Sequence, residues 1–234
     1  MTAPNIALVN TEAATEFVMG IQRDTQLTAW LGSVERFQQD AEVSGAIISA
    51  RTALRNGGAK ITELTGDLTR SEPERHHVGA EVSARTVTAL ENARSKLLQH
   101  ASAYEGSAIE AMKERFTLRS EDNWIYDKWL GFVHGEARNT DGGYANIREH
   151  MLKHRDLATL MVKMPTPLLG IPESQHEDWK LKAVEKWEPE IQDAAQMGAD
   201  IRDLASRYPR VIGMVKTNFH SPVIASRMKT RVSL

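Results

Sequence analysis

The sequence predicts an all-α protein: an elongated hairpin of long helices, then a smaller helical bundle, then an extended C-terminal arm. Three observations carry that reading. Residues 71–116 read as one uninterrupted helix. Apolar residues elsewhere recur mostly three and four positions apart, the spacing of one helix face. Aromatic residues are only 6% of the chain and many apolar positions are Ala, which suits helices packed closely through small side chains.

The long helix is the firmest element. Ser71-Glu72-Pro73-Glu74 is a start signal: Ser71 can cap, Pro73 is tolerated in the first turn, and Glu74 can reach back in a capping box. No proline follows until Pro165. About 45 residues at 1.5 Å each give about 68 Å, whereas a compact chain of this length has a radius of gyration of about 17 Å. The reading is therefore an elongated molecule or part of an assembly. The apolar positions Val78, Val82, Leu90, Ala93, Leu97, Ala101, Tyr104, Ala108 and Met112 advance by close to 3.7 residues, nearer a straight stripe than a supercoil. Gly79 and Gly106 are its weak points.

Before it, residues 11–22 form a short helix with Ala14, Phe17, Val18 and Ile21 on one face. Asp24 or Thr25 can cap the next helix, which runs from Gln26 to Arg55 and folds back antiparallel on the long one. Gly32 and Gly45 weaken it by about 1 kcal/mol each relative to Ala. Asn56-Gly57-Gly58 reads as a stop, and Ile61, Leu64 and Leu68 as a short helix leading to Ser71.

The polar connection from Phe116 to Asn123 is the expected domain boundary. The divisions are 1–116, a long helical hairpin; 117–207, a helical bundle; and 208–234, a basic extended arm. In the bundle, Ser120 can cap a helix holding Trp124, Ile125, Trp129 and Val133. Thr140-Asp141-Gly142-Gly143 is a turn, and Tyr144 to Lys163 a second helix. Glu173 to Trp187 is a third; Pro189 restarts or kinks it, and a further helix runs to about Arg207, where Tyr208-Pro209 ends it. Val211 to Val215 and Pro222 to Ala225 show no helical period and read as short strands or an extended arm.

Charge is uneven. Residues 1–116 carry 12 basic and 15 acidic side chains, residues 117–201 carry 10 and 15, and residues 202–234 carry 7 and 1. From Leu204 onward there is no acid. Such a tail suits an anionic surface, either phosphate or an acidic neighbour. Arg207, Arg210, Lys216, Arg227, Lys229 and Arg231 are thus the candidate contact residues for a partner subunit or nucleic acid, interleaved with Tyr208, Phe219 and His220.

Other chemistry is sparse. The chain has no Cys, which excludes disulfides, thiolate catalysis and Cys-based zinc sites. Met1 to Ala14 lacks the pattern of a signal peptide, and no apolar run reaches the roughly 20 residues of a membrane span. Glycine-rich phosphate loops and nucleophile elbows are absent. His150 and His154 lie four apart and can face one metal. Glu74-x-x-His77 and Glu173-x-x-His176 have the spacing of di-iron bundles, although both sit at helix starts, where Glu favours the dipole. Glu136 and Asp141 are a carboxylate pair with no supporting motif.

The leading functional expectation is a non-enzymatic assembly subunit of a large oligomer, cytoplasmic or within a virion. Neck, connector and internal head proteins of bacterial viruses are of this kind. Its partners would be further copies and other subunits, with no cofactor. A nucleic-acid-binding or packaging protein using the basic arm is the second reading, and a helical-bundle metalloenzyme the third.

Overall fold

The computed structural model describes residues 6–139 and 141–230. The described residues are almost entirely helical and contain no strand. The fold is all-α, with a long-helix hairpin and a smaller bundle. Eleven α-helices are described: α1 (Glu12–Ile21), α2 (Asp24–Leu31), α3 (Ala41–Gly66), α4 (Glu72–Arg115), α5 (Asn123–Ala137), α6 (Gly143–Lys153), α7 (Arg155–Lys163), α8 (Thr166–Leu169), α9 (Glu173–Trp187), α10 (Pro189–Asn218) and α11 (Pro222–Ser226).

Two compact units form: residues 1–101 with 200–234, and residues 102–199. The divisions fall within α4 and α10, not at the polar connection 116–123. Among the described residues the expected C-terminal arm is not extended but helical. Residues 208–218 complete α10, and 222–226 form α11 capped by Ser221, whose Oγ accepts from the Ile224 amide at 3.5 Å.

In the first unit, α4 is the single helix its start signal predicts. The Glu74 carboxylate accepts from the Ser71 amide at 2.8 Å and from its hydroxyl at 2.7 Å. α3 and α4 are antiparallel: the Arg75 guanidinium donates to the Thr65 carbonyl at 3.1 Å, while Thr86 faces Gly57. α4 buries His76, Ser83, Thr86, Val87, Leu90, Ala93, Leu97 and Ala101 in this unit. Val78 and Val82 are only half-buried. The first turns of the buried stripe are therefore small or polar.

Three local expectations fail here for one reason. The segment 26–55 is not one helix: it breaks at Gly32, whose φ is 95° and whose added Cβ would lie 2.7 Å from Leu204 Cδ1. Asn56-Gly57-Gly58 does not stop α3. A Cβ at Gly57 would meet Thr86 Oγ1 at 2.5 Å and Phe219 Cε2 at 2.9 Å, and one at Gly58 would meet Ile21 Cγ2 at 3.0 Å. These glycines admit neighbouring helices. Tyr208-Pro209 does not end α10 either. Pro209 removes one backbone donor and costs about 3 kcal/mol in a helix interior. Against that, Ile201, Leu204, Ala205, Tyr208, Val211, Ile212, Val215 and Phe219 form one continuous buried stripe. Each large side chain there contributes about 1.5–3 kcal/mol on burial, so the helix continues.

The second unit has its own core, centred on Phe116, Val133, Ile147, Met151, Leu157, Met161 and Trp179. Helix α9 has the predicted bounds, and α10 begins at the predicted Pro189. The predicted helix from Tyr144 to Lys163 is two helices, broken at His154, which is extended at φ −122° and ψ 112°. The break turns the Leu157–Met161 face into the core. Thr140, part of the predicted turn, lies outside the described residues; Gly142, with φ 86°, caps α6.

Candidate interaction site

Among the described residues, the C-terminal basic side chains have separate neighbours rather than one shared site. Arg207 donates to Asp203 at 2.6 Å, four residues back on the same helix, and both are well exposed. Lys216 lies 4.0 Å from Glu91, again in water. Arg227 is exposed at the end of α11 and has an interaction within the protein. The side chain of Lys229 and all of Arg231 lie outside the described residues. Arg207 borders a small cleft beside Gly32 and Leu204, and Arg210 enters a larger one. It lines a cleft of about 540 Å³ together with Arg23, the residue before α2, and with Glu16 of α1.

The apolar part of the expected arm is buried, but in its own chain. Val211, Val215 and Phe219 are 0–1% exposed within the first unit, and Val223 of α11 is 68% exposed. The Tyr208 hydroxyl donates to the Leu31 carbonyl at 3.3 Å. Burial in this apolar setting pushes its ionisation well above the ordinary tyrosine value.

The sequence reading missed a histidine contact that fastens this segment. His76, 2% exposed on α4, accepts the Ser221 amide on Nδ1 at 3.0 Å. An acceptor Nδ1 carries no proton, so His76 is neutral in this contact. Its pKa is lowered, first by burial; Glu72 opposes the shift, and His220 and Arg75 add to it. His220 is lowered by burial too, and its own Nδ1 is buried with no partner. Gly79 supplies the room, since a Cβ there would lie 3.2 Å from the Phe219 carbonyl oxygen and 3.3 Å from His220 Cβ. Gly79 was legible only as a weak point in α4, because the close approach involves residues 140 positions away.

Of the residues with metal-ligand spacing, Glu74 and His176 make hydrogen bonds within the fold, and His150 Nδ1 is buried without a partner. Glu74 caps α4. His176 is a core residue: its Nε2–H donates to the Met161 carbonyl at 2.6 Å and its Nδ1 accepts from the Thr166 hydroxyl at 2.8 Å. Burial lowers its pKa, in keeping with a neutral ring. The His150 and His154 rings stack with centroids 5.7 Å apart, beside Trp129. Among the described residues no three His, Asp or Glu side chains gather in a metal-holding group, and no helix is long and apolar enough to cross a membrane.

No family model, curated protein or solved structure matches the chain.

Proposed function

We propose that the chain is a non-enzymatic structural subunit of a larger assembly, of the kind that includes neck, connector or internal head proteins of bacterial viruses. The observation that carries this reading is the large apolar side chains left exposed on the second unit. Trp124, at the start of α5, is 60% exposed, with the Lys128 ammonium 4.9 Å from its ring centroid. Leu118, just before it in the chain, and Leu168 and Leu181 are also exposed. Aromatic anchors dominate the energetics of protein–protein interfaces. The second unit is acidic, with 12 basic and 17 acidic side chains, and the first is basic, with 17 and 14. Opposite patches on successive copies would set register and association rate.

Nucleic acid is the weaker reading. Phosphate binding needs several free cations along a track, and Arg207 and Lys216 already face carboxylates.

Sedimentation velocity at micromolar concentration tests the proposal. The protein should run above its monomer mass of 26.1 kDa, and Trp124→Ala should return it to monomer with its helicity unchanged. A monomer at all concentrations, or binding to DNA or RNA that weakens steeply with salt, would remove the reading.

A further inference from the structure

We propose that the cleft between α1, α2 and the last turns of α10 binds a small organic anion. The ligand class is a molecule with one carboxylate, sulfonate or phosphate head and a flat apolar body. The cleft's volume, about 540 Å³, lies within the roughly 300–1,000 Å³ of small-molecule sites.

Its charges point to the head group. Arg23 and Arg210 both line it, and neither has an ion-pair or hydrogen-bond partner for its guanidinium among the described residues. Four other arginines of this unit are paired, Arg36 with Asp200, Arg51 and Arg55 with Asp24, and Arg207 with Asp203, while Arg94 keeps a buried Nε without a partner but does not line this cleft. A guanidinium presents a planar fork of donors that matches carboxylate and phosphate oxygens. Glu16 lines the same cleft more than 4 Å from either cation's nitrogens, since it forms no salt bridge with them. A second negative charge beside Glu16 is disfavoured, which selects a single head over a polyphosphate strand.

The walls point to the body. Trp30 packs on Phe17 with ring centroids 5.2 Å apart. It can lie there because residue 20 is Gly: a Cβ would come within 2.9 Å of the Trp30 ring. Met19 and Met214 supply adaptable apolar surface. Asn218, at the cleft and 9% exposed, gives its Nδ2–H to the Met214 carbonyl at 2.8 Å and leaves its own carbonyl oxygen without a protein donor.

This inference is independent of the assembly proposal. Its probe is 1-anilinonaphthalene-8-sulfonate, a sulfonate on a flat aromatic body, titrated into the full chain by fluorescence and calorimetry. Saturable binding at one site is expected. Arg23→Gln with Arg210→Gln should weaken it about tenfold or more, the loss of a hydrogen bond to a charged group. Glu16→Gln should tighten it. The uncharged analogue N-phenyl-1-naphthylamine should bind about tenfold more weakly than the sulfonate. Both arginines are exposed, so the variants should keep the native melting temperature. Equal binding by the double variant, or equal binding of the uncharged analogue, would overturn the proposal. So would affinity of the unaltered protein that does not fall between about 0.05 and about 0.5 M salt, a test that needs no variant.

Discussion

The two units differ in how far along the chain their contacts reach. In the second, hydrogen bonds reach a moderate distance: His176 to Met161, Trp187 Nε1–H to the Met151 carbonyl at 3.2 Å, His134 to the Leu168 carbonyl at 2.7 Å and Lys163 to the Lys113 carbonyl at 3.0 Å join residues 15 to 50 apart. In the first, Ser221 meets His76, Arg36 meets Asp200 and Tyr208 meets Leu31, at separations of 145, 164 and 177 residues. The first unit is thus incomplete until the last thirty or so residues arrive. Sequence signals that act over a few residues describe the second unit better than the first.

The largest test of that comparison is deletion of residues 209–234. An independent arm would leave the helices intact. Instead the deletion removes Val211, Ile212, Val215 and Phe219 from the first core. At about 1.5–3 kcal/mol each, that approaches or exceeds the roughly 5–15 kcal/mol stability of a typical domain. Hydrogen exchange should show protection lost from α1, α2 and α3 but retained in α7 and α9. Retained protection in α1–α3 would refute the closure of the first unit by its C-terminal segment.

Two glycines of α3 sharpen the comparison at single-residue scale. Gly57→Ala should destabilise the first unit by about 1–3 kcal/mol, because the new methyl meets Thr86 and Phe219. Gly45→Ala meets nothing within 4 Å and should stabilise by about 0.5–1 kcal/mol through helix propensity. Urea denaturation of each variant measures both signs.

Acid should act on the first unit through His76 and His220. Both folded pKa values lie below the ordinary histidine value of 6.5, so the unfolded chain binds protons first. The stability from these neutral rings is complete above about pH 6.5 and is lost as pH falls from there toward the lowered folded values. A protonated His76 would also turn a donor toward the Ser221 amide. His76→Asn keeps an acceptor near the Nδ1 position and should flatten the dependence, measured as urea midpoints at descending pH. An unchanged slope would place the effect elsewhere; His176 in the second unit, also lowered by burial, is the comparison.

The smallest effect belongs to Arg207→Ala. Its ion pair with Asp203 is exposed, and such pairs contribute about 0.3–0.5 kcal/mol. The melting temperature should move by no more than a degree or two.

The sequence by itself determined the helical class and the elements whose boundaries are set by nearby atoms. Ser71 and Glu74 start α4 through hydrogen bonds spanning three residues. Pro189 starts α10 because a first-turn residue needs no intrahelical donor. Among the candidate site residues, the sequence singled out Arg210 by charge, but nothing in it placed Arg23, Trp30 or Glu16 beside it. It also gave no sign that His76 would hold the Ser221 amide. Only the tertiary structure decided that Gly57 and Gly58 lie inside a helix, that α10 continues through Pro209 and that the C-terminal segment completes the first core. Glycine and proline preferences of about 1 and 3 kcal/mol are real, but each is smaller than the burial of a few large side chains. Where distant helices bring that burial to a segment, packing overrides the local signal.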